Sequence, residues 1–94
     1  MAKDYTLKGN KALEKRWELI SFGSKVLMFK PSKTRMYEVY HFINNYYLFT
    51  EEIVEKEGEV PVSLYEITHL PKEEYNSMVG SLLKKDPDIK FGGF

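Results

Sequence analysis

The chain has 94 residues, fourteen Lys/Arg against fourteen Asp/Glu, no net formal charge and a pI near 6.7. That is one domain, residues 1–94, long enough to bury roughly 65% of its unfolded surface without staples. The absence of cysteine excludes a disulfide framework, a thiolate zinc site and a cysteine nucleophile, and neutrality argues against a protein held mainly by nucleic-acid phosphates.

Charge is divided unevenly. Residues 1–50 carry nine Lys/Arg and four Asp/Glu, whereas residues 51–94 carry five and ten. Basic and acidic strands are expected to neutralise one another across a sheet. Glutamine is absent and Lys and Glu dominate the charge, a bias seen in thermophile proteins. The apolar runs fall short of the ~18 residues of a membrane span, and MAKDYTLKGNK lacks an apolar signal core. The expectation is a soluble, cytoplasmic protein.

In chain order, residues 1–9 are polar and read as a loose end unless a partner or the sheet holds them. Asn10 suits an N-cap, and Ala12, Leu13, Trp17, Leu19, Ile20 and Phe22 recur at helical spacing up to Gly23, predicting a helix over 11–22 supported by packing of Leu13, Trp17 and Ile20. SKVLMFK predicts a strand over 24–30, stopped by Pro31. Next comes TRMYEVYHFINNYYLFTEEIV, two aromatic and β-branched arms, 34–43 and 46–55, closed by Asn44-Asn45. That closure sets Tyr40 opposite Phe49 and Glu38 opposite Glu51, a like-charge pair that Lys25 or Lys30 would have to neutralise. A fourth strand over 62–68 follows a turn at Gly58, and its register is open. LPKEEYNSMVGSLLKK predicts a helix over 71–85, with Tyr75, Met78, Val79, Leu82 and Leu83 in its buried stripe and Gly80 explained by a close approach to the sheet. Residues 86–94 read as a second loose end.

The order α-β-β-β-β-α predicts an α+β fold, a four-stranded antiparallel meander sheet with two helices packed on one face. Both faces of the central hairpin are apolar, so it is expected to be covered on both sides, or covered on one and adhesive on the other. Tyr40, Phe42, Tyr47 and Phe49 are therefore the candidate contact residues of a protein-interaction domain, paired with a protein partner or as a homodimer.

Two other functions have candidate residues. Lys25, Lys30, Lys33 and Arg35 interleave with aromatic residues, as in sheets that bind single-stranded nucleic acid. Glu51, Glu55, Glu57 and Glu59 crowd one turn and could offer oxygens to Ca²⁺, although their spacing matches no calcium loop. His41 reads as a packed strand residue and His69 as a solvated linker residue. No phosphate loop, nucleophile elbow or zinc-protease pattern is present, so neither an enzyme nor a cofactor is expected.

Overall fold

The computed structural model describes residues 6–85. Its elements run β1 (Thr6–Lys8), α1 (Asn10–Phe22), β2 (Ser24–Ser32), β3 (Arg35–Phe42), β4 (Asn45–Val54), β5 (Val62–Leu70) and α2 (Lys72–Lys85). The fold is α+β, with an antiparallel sheet in the order β1-β5-β4-β3-β2. The expected four-strand meander is present as β2 to β5, and β1 adds a fifth strand outside β5. Three residues, Thr6, Leu7 and Lys8, pair with Thr68, Ile67 and Glu66. So short a strand carries no readable alternation, and only its distant partner defines it. Among the described residues no helix is long and apolar enough to cross a membrane.

The hairpin turns one residue earlier than the asparagine pair implies. Ile43 and Asn44 hold φ of 47° and 61°, and Phe42 faces Asn45. Two positive φ values suit a two-residue loop whose twist matches the strands, but a β-branched residue in that region is strained by roughly 1–2 kcal/mol. Two gains offset this strain. Glu38 now faces Phe49 and Glu51 faces Met36, so the like-charge opposition disappears. Asn45 is also freed to donate through Nδ2 to the Ile43 carbonyl at 3.1 Å and to meet His69 Nε2 through Oδ1 at 3.1 Å. His69 is thus a strand residue of β5 and not a linker residue; its ring meets Tyr47 edge-on at 5.7 Å. The pairing moves by two residues along one strand, so each side chain keeps its expected face.

The helices take opposite faces, which corrects the expectation that both pack on one. Ala12 and Leu19 of α1 are buried with Tyr40, Phe49 and Ile67. Tyr75, Met78 and Leu82 of α2 pack against Leu27, Val39 and Leu70 on the other side. A sheet that is apolar on both faces needs cover on both, and one helix on each provides it. Edge strand β2 runs past Pro31 to Ser32 and carries register shifts after Lys25 and after Phe29. Bulges and proline leave such an edge a poor template for further pairing.

Glycines set both ends of α1. Gly9, at φ 63°, turns the chain from β1 into the helix, donates to the Tyr65 carbonyl at 2.9 Å and occupies the cap position expected of Asn10. Gly23 is extended, and a Cβ there would stand 2.7 Å from the His41 carbonyl oxygen. Gly80 is different, with nothing within 4 Å of its would-be Cβ, so no close approach to the sheet explains it.

Candidate interaction surface on helix α1

Successive residues of an α-helix point about 100° apart, so the positions turned toward a sheet are fixed by a few contacts. On α1 these are Ala12 and Leu19, both fully buried, with Lys15 and Arg16 between them. Lys15 Nζ lies 5.6 Å from the Phe42 ring centre and 5.2 Å from that of Tyr47. The Arg16 guanidinium carbon lies 4.8 Å from the ring centre of Phe49. Cations over aromatic faces gain about 0.5–2 kcal/mol each, more when water is excluded.

Arg16 is anchored by Glu38, which is 1% exposed. Nε donates to Oε1 at 2.8 Å and Nη2 to Oε2 at 3.2 Å. Tyr40 OH donates to Oε1 at 2.8 Å, and Lys25 Nζ stands 2.9 Å from Oε2. Burial by itself would raise the Glu38 carboxyl, but the hydrogen bonds from Arg16, Lys25 and Tyr40 outweigh it and hold the group below its ordinary value. Tyr40 shifts upward, through burial first and then through its bond to the carboxylate. Lys25 was expected to neutralise Glu38 and does so; Arg16, the stronger partner by geometry, was not anticipated.

This arrangement turns the apolar stripe of α1 away from the core. Trp17 is 69% exposed and Ile20 44% exposed, and Leu13 packs only partly against the buried cluster. The sequence placed these three against the sheet; Leu13 keeps part of that contact, but Ala12, Arg16 and Leu19 take the place of Trp17 and Ile20, the orientation in which Arg16 reaches Glu38. Glu14 and Glu18, both exposed, flank the outer stripe with charge.

The expected aromatic surface is not available. Tyr40 and Phe49 are each 1% exposed beneath α1, and Phe42 and Tyr47 are half-buried there under Lys15. They form the seat of the helix, so an interface built on them is corrected to core. The basic set is also divided. Lys25 is drawn to Glu38. Lys30, Lys33 and Arg35 gather at the β2–β3 turn around a small hollow shared with Glu51, and Arg35 pairs with Glu52. The aromatic residues meant to accompany the basic ones fall on two faces. Phe29 stacks with Tyr37 at 6.3 Å on the α2 side, whereas Tyr40 and Phe42 lie on the α1 side. Of the acidic set, Glu55, Glu57 and Glu59 are exposed and Glu51 is half-buried. Among the described residues no group of three or more His, Cys, Asp or Glu side chains is placed to hold a metal ion, so the expected Ca²⁺ site is not assembled.

A second concave region lies on the α2 face, an open hollow of about 450 Å³ with Lys8, Arg35, Tyr37, Glu52, Leu64 and Glu66 in its lining. Four of its charged residues are paired in place, Lys8 with Glu66 at 3.8 Å and Arg35 with Glu52. Matched pairs leave little fixed charge to orient a ligand. The outer stripe of α1 is the better candidate, since it exposes apolar surface on a helix anchored to the sheet through Arg16 and Glu38. Comparison with known protein families, curated proteins and solved structures finds no match to this chain.

Proposed function

We propose that this chain is a protein-docking domain whose contact surface is the outer stripe of α1, with Trp17 as anchor and a second copy of the chain as the simplest partner. The observation that carries this reading is the exposure of Trp17 at 69% on a helix that keeps two cations inside. Tryptophan is among the residues most enriched at the energetic centres of interfaces, where neighbouring contacts exclude water around it. Ile20 and the outer edge of Leu13 extend the apolar patch, and Glu14 and Glu18 form a polar rim.

Area decides the kind of contact. A large aromatic side chain can bury about 150–250 Å², so the patch offers on the order of 300 Å² per molecule, against about 800 Å² per partner in stable complexes. The docking is therefore transient and centred on the indole. Light scattering from about 10 µM to about 1 mM, a range that brackets weak association, tests it together with Trp17 emission. Average mass rises with concentration and the emission shifts to the blue; Trp17→Ser abolishes the rise in mass. A wild-type chain that remains monomeric with unshifted emission throughout overturns self-docking.

A further inference from the structure

We infer that Glu38 selects which of two equivalent stripes of α1 faces the sheet, and that α1 can turn by one residue's rotation to withdraw Trp17 from the surface. The side chains now turned inward are Ala12, Lys15, Arg16 and Leu19. Moving each position on by one residue, a rotation of about 100°, brings Leu13, Arg16, Trp17 and Ile20 to the same seats. Three of the four exchanges keep the chemistry of the seat. Leucine replaces alanine, isoleucine replaces leucine, and the Arg16 guanidinium takes the place of the Lys15 ammonium over Phe42 and Tyr47.

The fourth exchange is different in kind. It places the Trp17 indole over Phe49 where Arg16 now stands, and that seat is bonded to Glu38. A buried carboxylate that loses a two-pronged guanidinium partner is left short of donors. Hydrophobicity favours the other stripe, since it would cover Trp17 and Ile20 in exchange for the smaller pair Ala12 and Leu19. The present position therefore depends on Glu38, and both ends of the helix are glycines, Gly9 and Gly23, which absorb changes of backbone angle most readily.

As a control on docking, this inference rests on Trp17 being the anchor; as an account of how α1 is held, it stands without that reading. Trp17 is the single tryptophan of the chain, so intrinsic emission at high dilution, where light scattering gives the monomer mass, reports on this residue alone. Glu38→Gln removes the charge that selects Arg16. With helix and sheet signals retained in circular dichroism, its emission moves to the blue and acrylamide quenching falls several-fold relative to wild type. Arg16→Gln removes the same contact from the helix side, leaving Glu38 with Lys25 and Tyr40, and gives the same shift. Unchanged emission and quenching in a folded variant overturns the inference. Loss of folded structure in both variants overturns it as well, because a helix with a second seat would have used it. A wild type that never self-associates, beside a Glu38→Gln monomer with shielded Trp17, would remove the docking reading and leave the turning helix in place.

Discussion

Tyr46 of β4 and Tyr75 of α2 lie face to face, with ring centres 4.1 Å apart and planes 9° from parallel. No residue of α2 is fully buried, so this stack, with Met78 and Leu82 against Leu27, Val39 and Leu70, is what holds the helix to its face of the sheet. Burial raises the Tyr75 phenol, and neighbouring Tyr46 adds to the shift.

Tyr75→Ala removes the stack together with its buried ring area. A loss of about 2–3 kcal/mol is expected, toward the low end for aromatic-to-alanine changes because the ring is only half-buried. Leu82→Ala, also half-buried, should cost about 2 kcal/mol. Urea unfolding measures both as shifts in midpoint at constant slope. A midpoint that Tyr75→Ala leaves in place would mean that α2 contributes nothing to the stability of the sheet.

Ile43 stands at φ 47° with its side chain 71% exposed, so it bears backbone strain with little packing in return. Ile43→Asn places a residue that tolerates the left-handed region in the first turn position. The variant is expected to gain about 1 kcal/mol, which for a domain of this size is roughly 4–8 °C in melting temperature. Differential scanning calorimetry gives the sign directly. A fall in melting temperature would show that the isoleucine makes contacts that outweigh its strain.

Acid stability follows from Glu38. Its carboxyl is held below the ordinary value of 4.5 because hydrogen bonds to the charged form outweigh burial. A group whose folded-state pKa is lowered contributes stability above its unfolded pKa and loses that contribution as pH falls through the folded value. Wild type and Glu38→Gln should therefore differ most near pH 7, and the gap should close below pH 4.5, where Glu38 takes up its proton. Denaturant midpoints from pH 7 down to about pH 3 test this. A gap that stays constant with pH would mean that the cost of Glu38→Gln is steric rather than electrostatic.

Much of the frame is determined by local chemistry that a single sequence displays. Alternating Tyr, Phe, Val and Ile specify the two arms of the hairpin, and Pro71 with Glu73 and Glu74 sets the start of α2. Of the stripe at helical spacing, Tyr75, Met78 and Leu82 do face inward, whereas Leu83, at its edge, is 42% exposed. Hairpin face membership also follows from alternation, because a slip of two residues leaves the faces unchanged. What only the tertiary structure decides involves groups far apart in the chain. Strand β1 exists because β5 offers it an edge, and the turn falls on Ile43-Asn44 because Glu38 avoids Glu51 and Asn45 finds His69. The face that α1 presents is decided in the same way. Periodicity marks Leu13, Trp17 and Ile20 as well as Ala12 and Leu19, but it cannot weigh a bond between Arg16 and a carboxylate 22 residues away. Hydrophobic patterning records the preference of each residue for water or oil, and a buried charge overrides it once folding brings in the partner that satisfies it.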